Sequence, residues 1–307
     1  MKNKIIALAT ALAAATSLAG CFTGVESTPK ITAGDVRRQD AASVSPEALL
    51  IQSLPVDSIE TWKPGKRFIV VDSKAAMVYA PPAIAASDIK TGIILTYKGN
   101  RPSTSITGAG ELVLHFSTPA GNDVTYTAAT TSGPVDLPFT VDLDLVDSAR
   151  TLLNGRELWV TSAIWRDSLD NVIGGLKYVP VRVTNVAPGT GDYPVRIDFS
   201  TVSVDPARNG SLYISTASRG AGSRRFETQF ALDNPRRRYP EIEEKTWDLI
   251  ARGMVAPGMT RQECRLALGA PTDIDRRAGY STVREIWTYE NGIYLIFSDG
   301  ILIDYRR

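Results

Sequence analysis

The hydrophobic pattern near the end of the chain changes from a helical repeat to a strand-like alternation. Apolar side chains recur at helical spacing after Pro240 and again after Thr260. Pro240 suits the first position of a helix, and Gly253 suits the residue that follows its end. Thr260 and Glu263 form a predicted capping box, and Gly269 ends the second helix. The pattern therefore predicts two short helices between residues 240 and 269.

Three strand-like runs follow these helices, separated by two tight-turn signals. The runs are Val283 to Glu290, Ile293 to Ser298 and Ile301 to Arg306, with Asn291-Gly292 and Asp299-Gly300 between them. Asn-Gly and Asp-Gly favour hairpins because a two-residue type I′ turn needs positive φ at both central positions. Residues 239–307 are thus predicted to be an α+β module, with two helices on a three-stranded antiparallel sheet.

Two-residue turns would also fix which side chains share a face of that sheet. They would set Tyr289 opposite Tyr294 and Trp287 opposite Ile296 in one hairpin, and Tyr294 opposite Tyr305 in the next. Because two small helices cover only one face, the other face should meet the preceding domain or a separate protein. Aromatic residues are enriched at protein interfaces. The predicted partner-binding residues are Trp287, Tyr289, Tyr294 and Tyr305.

Residues 59–235 contain mostly strand-like runs, separated by Gly, Pro and Asn turn signals. One helix, Leu143 to Leu153, should begin at Asp142 or Asp144 and end at Asn154-Gly155. Many short strands with such punctuation favour a mainly β region, sandwich-like or barrel-like, of one or two domains. The predicted strands are Arg67 to Asp72, Gly92 to Tyr97, Glu111 to Ser117, Asp123 to Thr127, Glu157 to Trp165, Lys177 to Val186, Val195 to Phe199 and Ser211 to Ser215. A faint similarity pairs residues 65–68 with residues 155–158, each before a strand.

The first 20 residues have the pattern of a signal peptide. Lys2 and Lys4 precede an apolar stretch that is too short to span a membrane. Leu18-Ala19-Gly20-Cys21 resembles the bacterial lipobox, which implies lipid attachment at Cys21 and stable membrane anchoring. Ordinary secretory cleavage is the alternative. Phe22 after the cysteine favours the outer membrane, and residues 21–58 are predicted to be a tether with one short helix from Pro46 to Leu54.

The C-terminal module resembles a known family of envelope lipoproteins. The residues that carry the resemblance are Gly258-Met259-Thr260, Glu263, Leu268-Gly269, Pro271, Trp287, Tyr289 and Leu295-Ile296-Phe297. They are similar to the BamE (SmpA/OmlA) family, small domains of the outer-membrane β-barrel assembly machine. The resemblance covers about the last quarter of the chain and implies a non-enzymatic module that docks onto other envelope proteins. Its fold is similar to that of β-lactamase inhibitor proteins. The large domain in front of the module departs from the family.

Composition limits the chemistry that the chain can perform. The net charge is +1 among 307 residues, which gives no indication of a nucleic-acid partner. One histidine and two cysteines leave little material for a metal site or a nucleophile, so no metal, no cofactor and no catalytic residue is predicted. His115 is expected on a strand face opposite Leu112 and Leu114. Cys264 is expected to be a small buried apolar residue.

Two charged groups allow alternative interpretations. Asp142, Asp144 and Asp147 lack the spacing of a calcium loop and suit the start of a helix. A basic approach to the last module fits either a solvated linker or contact with an anionic surface. It consists of Arg219, Arg224, Arg225, Arg236, Arg237 and Arg238.

The sequence thus predicts a lipid-anchored outer-membrane protein, on the periplasmic side or the cell surface. Its expected role is non-enzymatic binding or scaffolding of other envelope proteins, including a role in β-barrel assembly. One alternative is a surface-displayed lipoprotein that binds glycans or inhibits a hydrolase. Another is a glycan hydrolase that uses two carboxylates, because paired acids have no fixed sequence spacing.

Overall fold

The computed structural model describes residues 45–54, 57–79, 89–216, 224–278 and 282–306. These described residues form one compact unit. The predicted signal peptide, Cys21 and most of the predicted tether lie outside the described residues. The predicted short helix at the end of the tether is confirmed as α1, Pro46–Gln52, and Ser45 caps its first turn.

A five-stranded antiparallel sheet follows α1. Its strands are β1 (Arg67–Val70), β2 (Ile94–Thr104), β3 (Gly110–Ser117), β4 (Asp123–Ala128) and β5 (Thr140–Asp142), in the order β4-β3-β2-β1-β5. The predicted strands near β1, β3 and β4 are confirmed. The predicted end of β2 at Tyr97 was wrong, because the strand passes an irregularity between Tyr97 and Gly99 and continues to Thr104. The pattern missed β5, which is only three residues long, and the helix α2 (Ala75–Tyr79). Phe68, Leu114 and Phe116 pack in the core on one face of this sheet.

A second antiparallel sheet has seven strands. They are β6 (Glu157–Val160), β7 (Ile164–Arg166), β8 (Val172–Gly174), β9 (Val179–Pro188), β10 (Val195–Thr201), β11 (Asn209–Ile214) and β12 (Phe230–Ala231), in the order β12-β6-β9-β10-β11-β7-β8. The predicted single strand from Glu157 to Trp165 was wrong. The chain leaves β6 after Val160, and β7 pairs instead with β11 at the other side of the sheet. A short helix, α4 (Phe226–Gln229), precedes β12.

The helix between the two sheets, α3, runs from Leu143 to Leu153 as predicted. Asp142 is its N-cap, and its carboxylate accepts a hydrogen bond from the backbone N–H of Asp144 at 2.9 Å. Val146 and Ala149 on its inner side are fully buried in the core of the second sheet. Since Val141 of β5 belongs to the same core, α3 links the two sheets.

The two sheets form a structural repeat. The order β5-β1-β2-β3-β4 in the first sheet corresponds to β12-β6-β9-β10-β11 in the second. Phe-Ser-Thr stands at residues 116–118 and again at residues 199–201, at the end of equivalent strands. In both copies the threonine hydroxyl accepts a backbone hydrogen bond across the following turn, from Asn122 at 3.2 Å and from Arg208 at 2.9 Å. The similarity between residues 65–68 and 155–158 is therefore one part of a longer repeat.

The connections after the first strand of each repeat also correspond. In the first repeat, α2 packs against β4, and its Tyr79 contacts Phe116 with ring centroids 6.2 Å apart. In the second repeat, β7 pairs with β11, and its Trp165 contacts Phe199 at 5.0 Å. Each connection thus crosses the sheet to bury one aromatic side chain against an equivalent phenylalanine.

The last part of the chain contains two helices and a four-stranded sheet. The elements are α5 (Glu244–Ala251), α6 (Arg261–Leu268), β13 (Asp273–Ala278), β14 (Val283–Thr288), β15 (Tyr294–Ser298) and β16 (Ile301–Arg306). The order is β13-β14-β15-β16, so the prediction of a three-stranded sheet was wrong. The sequence of β13, Asp-Ile-Asp-Arg-Arg-Ala, lacks the apolar alternation that announces a strand, which is why the pattern missed it.

The start of α6 is set by local capping chemistry. Thr260 and Glu263 form the predicted capping box of α6, and Gly269 follows its end with φ 89°. Helix α5 begins at Glu244 and not at Pro240. Its N-cap residue, Glu243, has an extended backbone and makes no side-chain capping hydrogen bond. The predicted start was therefore four residues too early.

The general prediction of a mostly β chain built from several antiparallel sheets is confirmed, and one sheet curls into a half-barrel.

Candidate binding surfaces

The turn between β14 and β15 shows that the aromatic residues were predicted on the wrong faces of the sheet. Tyr289 and Ile293 close a three-residue loop, in which the N–H of Gly292 donates to the carbonyl of Tyr289 at 3.0 Å. Three-residue loops of this kind combine a type I turn with a glycine at positive φ, and Gly292 has φ 80°. The extra loop residue shifts the register by one, so Trp287 faces Leu295 and not Ile296.

The turn between β15 and β16 has the predicted two-residue length, but a β-bulge follows it in β16. Asp299 and Gly300 both have positive φ, and Ser298 pairs with Ile301. Leu302 then pairs with Phe297, while Ile296 pairs with Asp304, which leaves Ile303 as the extra residue. Tyr305 consequently pairs with Leu295, and the predicted pairing of Tyr294 with Tyr305 was wrong.

The four predicted partner-binding residues therefore do not share a face. Trp287 is 1% exposed and Tyr289 is 8% exposed, and both belong to the core beneath the two helices. Burial raises the pKa of Tyr289 to about 12. Tyr305 is on the same side at its edge, beside a cavity of about 50 Å³ lined also by Met254 and Leu268. Tyr294 alone of the four lies on the outer face, where it is half-buried.

The outer face of the sheet, facing away from the helices, has an apolar centre. Half-buried Ile286 and Ile296 pair directly across β14 and β15. Ile301 and Ile303 on β16 are 42% and 51% exposed. Charged residues of both signs surround this centre: Asp273, Asp275, Arg277, Arg284, Asp304 and Arg306. An apolar patch with a charged rim is typical of a protein interface.

The residues just before β9 contact the C-terminal part of the chain on its helix side. The backbone N–H of Lys177 donates to the carbonyl of Ala251 at 3.0 Å, and the ring of Tyr178 contacts that of Trp247 at 5.8 Å. These contacts lie on α5, on the other side of the module from the outer face. They leave the described part of the outer face open to a separate partner.

Arg236 joins the two parts of the chain at this junction. Its Nε donates to the carbonyl of Tyr178 at 2.9 Å, and its Nη1 lies 2.7 Å from Glu244. Its guanidinium also lies over the rings of Trp159 and Trp247. Arg236 is therefore neither a solvated linker residue nor a contact for an anionic surface. Arg237 and Arg238 are exposed, whereas Arg219 lies outside the described residues.

A buried carboxylate under α6 was not predicted. Glu285 has a side chain that is 1% exposed, and its Oε1 lies 2.8 Å from both Arg261 Nη2 and Arg276 Nε. Its Oε2 accepts a hydrogen bond from Trp287 Nε1 at 3.2 Å. The shifted register carries Glu285 to the inner face, so the predicted two-residue turn concealed it.

The ammonium group of Lys66 forms ion pairs with three carboxylates at or near the start of α3. Its Nζ lies 2.7 Å from Asp57, 2.7 Å from Asp142 and 3.3 Å from Asp144. Burial by itself lowers the pKa of Lys66, but the hydrogen bonds to Asp142 and Asp57 outweigh it and raise the pKa. The aspartates at the helix start thus have an ion-pairing and capping role, as their position indicated. Asp147 pairs with Arg67 and Arg150.

The candidate reactive groups have ordinary structural positions. Cys264 is fully buried, and burial raises the pKa of its thiol to about 12, so it is a buried apolar residue as predicted. His115 lies half-buried on β3, on the face opposite Leu114 and Phe116. The described residues contain no group of three His, Cys, Asp or Glu side chains arranged to hold a metal ion. Among those same residues, no helix is long and apolar enough to cross a membrane.

Comparisons with protein-family models, with curated proteins and with solved structures give no match to this chain.

Proposed function

We propose that this chain is a non-enzymatic, lipid-anchored protein of the bacterial outer membrane that binds another envelope protein. The outer face of the C-terminal sheet is the docking surface in this proposal. The observation that supports it is the apolar centre formed by Ile286, Ile296, Ile301 and Ile303, with charges of both signs around it. A contiguous apolar patch on a soluble domain marks an interaction site more often than a chance exposure.

The orientation of the module supports the same assignment. Its helix side is occupied by Tyr178, Arg236 and the backbone of Lys177. The junction thus turns the outer face away from the preceding domain, as a scaffold that presents a binding surface requires. The resemblance of residues 258–297 to the BamE family favours a partner from the envelope machinery, and β-barrel assembly is the role that this resemblance suggests.

Crosslinking in intact cells tests the docking surface. A photoreactive phenylalanine analogue replaces Ile303 in one strain and Met77 in a second strain. Met77 is 77% exposed on α2 and serves as the matched surface control. We expect a discrete adduct from position 303 that is absent from position 77. The adduct should disappear when Ile301→Asp is added, because a buried unpaired carboxylate opposes docking.

Equal adduct patterns from positions 303 and 77 would exclude the outer face as a specific docking surface. Loss of the folded state does not confuse this result, since Ile301 and Ile303 are both substantially exposed and their substitution leaves the core unchanged.

Lipid attachment requires its own measurement. Cells that express the chain are labelled with a radioactive fatty acid, and the wild type is compared with Cys21→Ser. We expect label on the wild type and none on the variant. An unlabelled wild type would refute the anchor and leave the docking surface to be judged by crosslinking.

A further inference from the structure

A cleft lies beside the second sheet, at the place where its connection curls over β11. Its floor includes Ser211 and Tyr213 of β11, and one wall is the β7–β8 hairpin with Ile164 and Arg166. Arg224 completes the lining on another side. The volume is about 290 Å³, close to the lower end of the usual range for small-molecule sites.

The hairpin wall is held in place by close packing around Trp165. The indole is fully buried, and its Nε1 donates to the carbonyl of Ser162 at 2.8 Å. A Cβ at Gly175 would lie 2.2 Å from this ring, and a Cβ at Gly210 would lie 2.7 Å from it. Both glycines thus let the indole pack directly against the backbone beside the hairpin and on β11. This wall of the cleft is therefore set by the packing of the hairpin on the sheet.

The charged groups of the cleft are oriented by neighbours. Arg166 Nη1 donates to the carbonyl of Asp170 at 2.6 Å, and its guanidinium lies 5.5 Å from the ring centre of Tyr213. The hydroxyl of Tyr213 donates to Asp170 Oδ1 at 2.8 Å. The guanidinium of Arg224 lies 4.7 Å from the ring centre of Tyr193. Two guanidiniums thus line the cleft, each in contact with a tyrosine ring.

The described residues that line the cleft include Arg166 and Arg224 and no aspartate or glutamate. The carboxylate of Asp170 pairs with Arg166 and Tyr213 at the edge, so it offsets one of the two positive charges. Arg196 and Asp198 on the neighbouring strand pair with each other at 2.7 Å. The cleft keeps a positive excess, which favours an anionic ligand. Guanidinium groups bind carboxylates through two parallel hydrogen bonds.

The remaining lining indicates what the anion is attached to. Ser162 and Gln229 provide a hydroxyl and an amide group that can bind alcohol groups of a ligand. Ile164 and Val172 present apolar side chains that are 65% and 62% exposed at the rim. A sugar ring has hydroxyl groups at its edge and apolar C–H groups on its faces, which matches this lining.

We propose that the cleft binds a carboxylate-bearing saccharide of one or two rings. The guanidinium of Arg224 binds the carboxylate, and Tyr213 with the hydroxyl and amide groups binds the ring. This binding site is separate from the outer face of the C-terminal sheet and goes beyond the proposed docking function.

Calorimetric titration of the purified chain tests this site with four probes: glucuronate, glucose, acetate and inorganic phosphate. We expect glucuronate to bind and each of the others to bind at least about tenfold more weakly, because glucose lacks the carboxylate and both acetate and phosphate lack the sugar ring. The substitution Arg224→Met should lower the affinity for glucuronate at least about tenfold. Arg182→Met is the matched control, because Arg182 is exposed on the same sheet and pairs with Glu157. It should leave binding unchanged.

Each other result overturns the proposal. Equal binding of acetate or phosphate would show a general anion site and refute the saccharide. Equal binding of glucose would refute the role of the charge, and absence of glucuronate binding would refute the site. Unchanged binding by Arg224→Met, with wild-type thermal unfolding, would place the ligand elsewhere. None of these results bears on crosslinking at Ile303, so the two proposals fail independently.

Discussion

The carboxylate of Glu285 is buried beneath α6 with its Oε1 2.8 Å from Nη2 of Arg261. Arg276 approaches the same oxygen from β13 at 2.8 Å. One buried negative charge therefore connects the first turn of α6, the central strand β14 and the edge strand β13. Because removal of one member leaves the others uncompensated, such groups make a fold sensitive to single substitutions.

Glu285→Gln should lower the free energy of unfolding by about 2 kcal/mol, since it leaves two guanidiniums facing a neutral amide. The expected loss is below the range for fully buried pairs because the side chains of Arg261 and Arg276 are 39% and 64% exposed. Urea denaturation measures it. Glu290→Gln is the control, because Glu290 is exposed in the following turn. Equal stability of the two variants would show that the buried carboxylate contributes nothing.

Gly210→Ala should destabilise the second sheet by about 1–3 kcal/mol, the usual cost of overpacking. The added Cβ would lie 2.7 Å from Cε3 of Trp165, whose indole is fully buried. Gly174→Ala is a matched control on β8, because a Cβ there meets nothing within 4 Å and its φ is not positive. Thermal unfolding should separate the two variants. Similar melting temperatures would contradict the close packing.

The sequence predicted those features that depend on neighbouring residues. The capping box of α6 and the N-cap of α3 involve residues at most three positions apart, and both are present. Which side chains of β14 and β15 share a face of the sheet depended on the length of one loop. Tyr289 to Ile293 could close with two or three loop residues, and the difference moved Trp287 and Glu285 to the inner face.

The hydrophobic pattern of the sequence could not predict features that depend on residues distant in the chain. The cleft brings Arg166 and Arg224 together only because β7 crosses the sheet to pair with β11. The repeat is also clear only in strand order and in the matching hydrogen bonds of Thr118 and Thr201, since few side chains are identical between its copies.

Lys177 should make stability depend on pH in the alkaline range. Burial lowers the pKa of Lys177 to about 8 from its ordinary value of 10.5. Between these values the unfolded chain binds the extra proton, so the free energy of unfolding rises with pH across this window. Below pH 8 the folded protein carries the full cost of a charged, partly buried ammonium. Lys177→Met removes that cost and should raise the melting temperature at pH 7.

The stabilisation by Lys177→Met should shrink as the pH approaches 10.5, the ordinary value for lysine. Lys63→Met provides the control, because Lys63 is exposed. Its melting temperature should differ from that of the wild type by a constant amount over the same range. A constant difference for Lys177→Met as well would show that this lysine is fully hydrated in the folded protein.

Arg236→Met should loosen the junction between the second sheet and the C-terminal module. The substitution removes the hydrogen bond to the carbonyl of Tyr178 and the ion pair with Glu244, but keeps an apolar stem beside Trp247. We expect faster hydrogen exchange at the Lys177 amide, which crosses the junction to Ala251, and no change at the Val181 amide in the sheet core. Mass spectrometry of peptides reads both sites.

Arg237→Met is the matched control for this prediction, since Arg237 is the next residue along and is exposed. It should leave exchange at Lys177 at the wild-type rate. If both variants accelerate exchange equally, general charge at residues 236–238 holds the junction, and the specific contacts of Arg236 do not. If neither variant does, the aromatic contacts of Tyr178 and Tyr239 with Trp247 are sufficient to hold it. Selective acceleration by Arg236→Met would identify this side chain as the connection that orients the outer face away from the preceding domain.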